Sequence, residues 1–342
     1  MDLLPTAEQD EIVTTVRAQL EKDFDLHGLS ALDGAPSVVD RDLWRRCAEL
    51  GWFGLGLDED LGGVGYTLAE EALLFTELGS HATPGPFLAT VLGARVAARA
   101  GAGDLATAVL GGDRVVALAE PEGAAVVGDT VSGTVRVTDH GGADLLLVVT
   151  ADGAALVDAG GVDVLARPSL DPLVPLGVAD LAAVRAVART DGAAQAADLW
   201  RRGTVLVAAA LAGIAAGTAA QSTEYAKDRE QFGVPIGSFQ AVKHRCADMA
   251  VRAEAATTLV RYASLAVVEG RDDAPFHADA ARTVAGDAAV ANAQVNVQNH
   301  GGIGFTWEHT AHRYVTRAQY RVRTLGDRRS HLADLLAEPA PA

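Results

Sequence analysis

The spacing of apolar residues changes twice along this 342-residue chain. From residue 6 to about 110 they recur every three or four positions, the period of helices with one buried face. Thr6, followed by Glu8, Gln9 and Asp10, has the character of an N-cap and an acidic first turn. Leu43, Trp44, Cys47, Ala48, Leu50 and Trp52 keep the period until Leu61, Gly62, Gly63 and Gly65 break it. A helix is predicted to resume over 68–78, and Pro84 and Pro86 interrupt before an Ala-rich helix near 88–101.

Between residue 113 and about 190 the runs become short. Val115–Ala119, Val131–Val137, Leu145–Val149, Ala155–Val157 and Val162–Val164 are apolar or alternating, and Gly, Asp and Pro separate them. This predicts an antiparallel sheet or small barrel. From 195 to 338 long Ala-rich stretches return, with helices predicted over 195–228, 238–269, 275–299, 306–321 and near 328–337. No helix pair repeats at a fixed period, so a solenoid is not expected. The expected organisation is α+β: a helical domain (1–111), a β domain (112–192) and a helical bundle (193–342).

Composition narrows the functional classes. A hydrophobic fraction of 49% marks a globular chain, and a formal charge of −17 argues against a nucleic-acid backbone as partner. Cys47 and Cys246 are the two cysteines, with no CxxC or HExxH spacing to suggest a metal. The most apolar run, Val205–Ala220, is about 16 residues and rich in Ala and Gly, short for a membrane span. The first residues are acidic and lack the basic region of a signal peptide, so a cytoplasmic protein is expected.

Two segments carry candidate chemistry. In the first, Arg229, Gln231, Phe232 and Gly233 follow a charged helix end at Tyr225–Asp228 and lead through Pro235 to another helix. In the second, Gln298, Asn299, His300, Gly301 and Gly302 run on through Gly304, Phe305, Trp307, Glu308 and His309. A guanidinium and backbone N–H groups with no Cβ in the way suit a pyrophosphate. The glycines at 301–304 follow a helical pattern, not a strand, so they are not a Rossmann fingerprint.

These two segments, in this order and separation, resemble the C-terminal domain of the acyl-CoA dehydrogenases, which are flavoenzymes. Trp44–Trp52, Leu57–Gly65 and Glu77–Gly79 extend the resemblance over nearly the whole chain. It implies an N-terminal helical domain, a middle β-barrel and a C-terminal four-helix bundle, with FAD as cofactor. It also implies that Arg229, Gln231, Phe232, Gln298, Gly301 and Gly302 reach across a subunit interface. There they would hold the adenosine and pyrophosphate of a neighbour's FAD. The family's two ring-side strand motifs are reduced here to Ala119–Gly123 and to Val135–Thr138, which lacks the usual Trp.

The resemblance also implies a glutamate that removes the α proton of an acyl thioester. Its usual position falls at Leu325, before Gly326, and the alternative position used by part of the family falls near Gly203. Neither holds a carboxylate. Asp327 and Glu308, the latter beside His309, are the weak substitutes. Some actinobacterial members that act on steroid side-chain CoA esters are α2β2 heterotetramers of one complete and one degenerate subunit. This chain resembles the degenerate one, with a complete subunit as partner, an acyl-CoA substrate and an electron-transferring flavoprotein as acceptor. Two alternatives stay open: a self-sufficient homo-oligomeric flavoenzyme acting on a thioester in secondary metabolism, and a non-enzymatic scaffold subunit.

Overall fold

The computed structural model describes residues 3–24, 26, 39–123 and 125–338. The described residues divide into two compact units. One contains α1 (Ala7–Asp23), α3 (Leu68–Ser80) and the chain from Thr204 onward. The other contains α2 (Arg41–Glu49), α4 (Phe87–Arg99), α5 (Gly103–Leu110) and the strands β1 to β7. The division falls inside α6 (Ala193–Asp228), between Gly203 and Thr204.

In the β-containing unit the strands are β1 (Val116–Pro121), β2 (Ala125–Val127), β3 (Thr130–Thr138), β4 (Leu145–Thr150), β5 (Gly153–Asp158), β6 (Leu165–Arg167) and β7 (Leu176–Asp191). The order β3-β1-β4-β5-β7 closes on itself through a β3–β7 pairing, while β2 and β6 extend it. The expected barrel is therefore present. Its interior is Val135, Val137, Leu146, Val148, Val157 and Leu181, with alanines between them. Closure removes the exposed edges of these five strands and buries one face of each.

Three expectations need correction here. β1 and β4 pair in parallel, not antiparallel, because the chain leaves β3 and crosses over to the far side of β1. The Val162–Val164 run is no strand, since Asp158 accepts a hydrogen bond from Gly160 N at 2.8 Å and caps a tight turn just before it. Two elements, the 8-residue α5 and the 16-residue β7, were not signalled as separate runs. In β7, five alanines and four charged residues interrupt the β-branched residues that mark a strand.

In the helical unit, α6 is followed by a small hairpin of β8 (Glu230–Gln231) and β9 (Val234–Pro235), then α7 (Gln240–Val268), α8 (Ala274–His300), α9 (Ala311–Arg321) and α10 (Arg328–Ala337). Helix α9 starts at Ala311 rather than 306, because 301–305 wind into a 3-10 turn and Thr306 is extended. Thr6 caps α1 as expected: its side chain accepts from Gln9 N, and Gln9 returns a bond to Thr6 N. By length and hydropathy α6 would suit a membrane, yet 83% of its most apolar stretch is buried. That stretch is core, and small residues let neighbours approach it closely. A Cβ at Gly213 would lie 1.9 Å from Thr76 O, and one at Gly79 would lie 1.9 Å from Ala210 O. Asn292, fully buried, donates to Ala215 O (3.0 Å) and Met249 O (2.9 Å), so one amide ties α8 to α6 and α7.

Candidate cofactor-binding end of the helical unit

The two chemistry-bearing segments lie at one end of the helical unit. The ring of Tyr225, near the end of α6, stacks on His300 at 4.2 Å, and His300 lies 4.3 Å from the ring of His309. The first segment begins four residues after Tyr225, and His300 sits inside the second. Neither Tyr225 nor His300 was singled out from sequence as a functional residue. The signal was available only as an aromatic side chain immediately before a glycine pair.

Arg229 closes α6 and is exposed, and among the described residues its guanidinium makes no hydrogen bond or ion pair. Its backbone carbonyl accepts from Ile236 N at 2.7 Å, which anchors the hairpin base. Gln231 pairs with Val234 across the hairpin and is exposed. The two turn residues, Phe232 (φ 55°) and Gly233 (φ 78°), are both left-handed, the requirement of a type I′ turn. A phenylalanine there carries a steric cost of roughly 1–2 kcal/mol. Its ring is 93% exposed and touches Phe239 edge-on at 6.2 Å.

Gln298 is exposed on the last turn of α8, and Gly301 follows with φ 63°. A Cβ added at Gly301 or Gly302 would meet nothing within 4 Å, so an outside group can approach this backbone closely. Phe305 and Trp307, 75% and 56% exposed, continue the apolar surface. Glu308 is exposed, and His309 Nδ1 accepts from Ala311 N at 3.1 Å, a helix-start contact.

His300 is buried. Its Nδ1 donates to Asn296 O at 2.8 Å, while Nε2 is buried without a hydrogen-bond partner. Burial holds its pKa below the ordinary imidazole value, only partly offset by the Asn296 bond. The ring at the foot of the glycine pair is thus neutral near pH 7.

The implied base positions lie elsewhere. Gly203 is buried within α6 and adds no side chain. Leu325 is 2% exposed and left-handed (φ 53°), and its carbonyl oxygen accepts from His331 Nε2 at 2.9 Å. Arg282, itself 2% exposed, donates through Nη2 to the carbonyls of Arg321 (3.0 Å), the last residue of α9, and of Thr324 (3.1 Å), next to Leu325. Arg282 precedes Gln298 by 16 residues on α8, about 24 Å along a helix axis. The structure therefore does not bring the Leu325 loop to the glycine pair of its own chain. Asp327 caps α10, accepting from Ser330 N at 2.9 Å, and that backbone bond holds its pKa below the usual carboxylate range. A groove of about 700 Å³ beside this loop is lined by Gly286, Val290, Gln294, Arg323 and Arg329.

In the β-containing unit, Glu120 and Arg136 face each other in register on β1 and β3 and pair at 2.9 Å. Thr138 on the same strand is 2% exposed, and its hydroxyl has no hydrogen-bond partner.

Comparison with known proteins is informative at both ends of the chain. Residues 6–110 match the pattern of the acyl-CoA dehydrogenase N-terminal domain, and residues 190–334 that of the C-terminal domain. The acyl-CoA dehydrogenase IpdE2 of Mycolicibacterium smegmatis is 32% identical over 97% of this chain and 98% of its own length. The chain belongs to the acyl-CoA dehydrogenase family. It is also 36% identical to acyl-CoA dehydrogenase FadE34 of Mycobacterium tuberculosis, of which it spans 40%. Among solved structures, a chain of the ChsE4–ChsE5 complex from Mycobacterium tuberculosis superposes with a TM-score of 0.88 at 29% identity, covering 100% of both chains. The Tcur3481–Tcur3483 steroid acyl-CoA dehydrogenase gives 0.84 at 29% identity, over 96% of this chain and 97% of that one. The fold is that of the family, with its N-terminal helices, middle barrel and C-terminal helical bundle.

Family members bind FAD, and one half of such a site fits what this chain presents. Arg229, whose guanidinium has no partner among the described residues, exposed Gln231 and Gln298, and the unobstructed Gly301–Gly302 backbone are donors of the kind a pyrophosphate takes. At Leu325, the position the resemblance implies for the base, the side chain is hydrocarbon and cannot accept a proton.

Proposed function

We propose that this chain is the base-lacking subunit of a heteromeric, FAD-dependent acyl-CoA dehydrogenase. The observation that carries the reading is Leu325: the position implied for the base is a buried leucine on a loop clamped by Arg282 and His331. α,β-Desaturation of an acyl thioester needs a carboxylate beside the α carbon, and leucine cannot accept a proton. FAD, when bound, accepts the β hydrogen as a hydride. The chain's own residues would serve the partner's FAD: Arg229 on the pyrophosphate, Gln231 and Gln298 as amide contacts, and Phe232 against the adenosine. The complete partner supplies the glutamate.

The shortened Ala119–Gly123 segment and the Val135–Thr138 strand without its Trp support this reading, since the resemblance implies a flavin-ring pocket there. The likeness to ChsE4–ChsE5, a two-protein complex, and to a steroid acyl-CoA dehydrogenase supports a heteromeric enzyme acting on a steroid side-chain CoA ester; a heterotetramer in the cytoplasm is the form we propose for it. An electron-transferring flavoprotein would take the electrons. The test compares flavin content and complex mass for the chain alone and co-expressed with a complete acyl-CoA dehydrogenase subunit. Flavin is expected only in the mixed complex, at about one FAD per pair of unlike chains. A lone chain that purifies yellow and oxidises acyl-CoA would overturn the proposal. In that event Asp327→Asn and Glu308→Gln would test the two remaining carboxylates as bases.

A further inference from the structure

Two unengaged polar side chains stand one helical turn apart on α7. Thr257 and Arg261 share a face of that helix, and both are half-buried. Among the described residues the Arg261 guanidinium makes no ion pair or hydrogen bond, and the Thr257 hydroxyl makes no hydrogen bond. Both line a groove of about 380 Å³ between α7, α3 and α1. Much of its remaining wall is apolar. Val13 on α1, Leu73 on α3 and Leu265 on α7 are half-buried there, and Leu4, just ahead of α1, is 76% exposed. Apolar side chains left partly wet along a concave surface are what a hydrocarbon ligand covers.

The other charges along the groove are neutralised or face water. Glu77, 5% exposed, is held by Arg17 through two bonds, from Nε at 3.0 Å and from Nη2 at 2.8 Å. That carboxylate therefore does not repel an anion. Asp10 is exposed, so solvent and salt screen its charge. The half-buried Arg261 is left as the cation available to a ligand.

We infer that this groove binds a straight-chain aliphatic carboxylate, its head group on Arg261 and Thr257 and its chain along Val13, Leu73 and Leu4. A guanidinium offers a carboxylate two parallel N–H bonds, and a hydroxyl one turn away donates a third. The free acid is the form selected, because a thioester carbonyl lacks the charge that Arg261 answers. A groove of this volume is at the small end for ligand sites, which suits one acyl chain better than a fused-ring body. Arg261 lies 21 residues beyond Gln240 on α7, about 30 Å along the helix axis from the Phe232 hairpin. The groove is thus separate from the cofactor-binding end and does not depend on the proposed function.

The test titrates sodium octanoate into the full chain and reads heat by calorimetry, with 1-octanol as the uncharged probe. One saturable octanoate site per chain is expected, with octanol bound about ten-fold or more weakly. Arg261→Gln should weaken octanoate by about ten-fold or more and leave octanol unchanged. Thr257→Val should give a smaller loss in the same direction. Leu4→Ser removes only a contact to the chain, so it should weaken both probes alike. Circular dichroism of all three variants should match the parent, since none of these positions is fully buried. Lack of saturable octanoate binding would overturn the site. So would equal affinity for the two probes, or an Arg261→Gln chain that binds octanoate as the parent does. None of these outcomes alters the flavin content expected of the mixed complex.

Discussion

His300 shows how one side chain can set a pH limit. Its nitrogens sit in a buried place that favours the neutral ring, so its pKa in the folded chain lies below the unfolded value. The unfolded state then binds a proton more readily, and stability falls as pH drops below the unfolded imidazole value of about 6.5. His300→Gln should flatten that part of the stability–pH curve, as read by urea unfolding at successive pH values. Asp327 acts in the opposite chemical sense but with the same outcome in acid. Its lowered pKa means the cap on α10 is intact above the unfolded carboxylate value and is lost as pH falls through the folded one. Leu325→Glu tests the base position directly. A carboxylate forced into this buried site should cost about 2–5 kcal/mol, visible as a lower melting temperature. The lone chain carrying this substitution should still fail to reduce a dye acceptor with acyl-CoA.

At the level of elements, the contact of α3 with α6 depends on having no side chain at Gly79 and Gly213. Gly213→Ala would put a methyl carbon into the Thr76 carbonyl, so the helices must separate, at a cost of about 3 kcal/mol or more by thermal unfolding. The hairpin after α6 behaves differently. Phe232→Asn puts a residue suited to a left-handed turn at its tip, so the isolated chain should gain up to about 1 kcal/mol. Flavin retention by the mixed complex should fall with the same change. Local strain and an exposed ring at one position are what the proposed role of Phe232 against a partner's cofactor requires. Much of this architecture was legible in the sequence. The Thr6 cap, the barrel strands rich in Val and Leu, and the limits of α6 and α10 follow from local pattern. The parallel β1–β4 pair was not, because pairing partners leave no local mark. Asn292 was also hidden, since one polar residue on an Ala-rich helix looks like surface until three helices close around it. The hydrogen bond between His331 and Asp279 joins residues 52 positions apart, beyond the reach of any spacing rule.

For the whole molecule, the prediction is one of incompleteness. The candidate site of this chain offers the donors for a dinucleotide, while the position implied for the base is closed with leucine. Arg229→Ala in the mixed complex should lower flavin affinity by about 10- to 100-fold, the usual consequence of losing a charge-assisted hydrogen bond. Unchanged flavin content would favour the scaffold alternative. The exposed rings at 232, 305 and 307 have a consequence for the cell as well. Apolar surface of this kind on an unassembled chain is what chaperones and proteases recognise. A copy synthesised in excess of its partner should be short-lived, so that turnover of orphans, rather than matched synthesis, sets the subunit ratio.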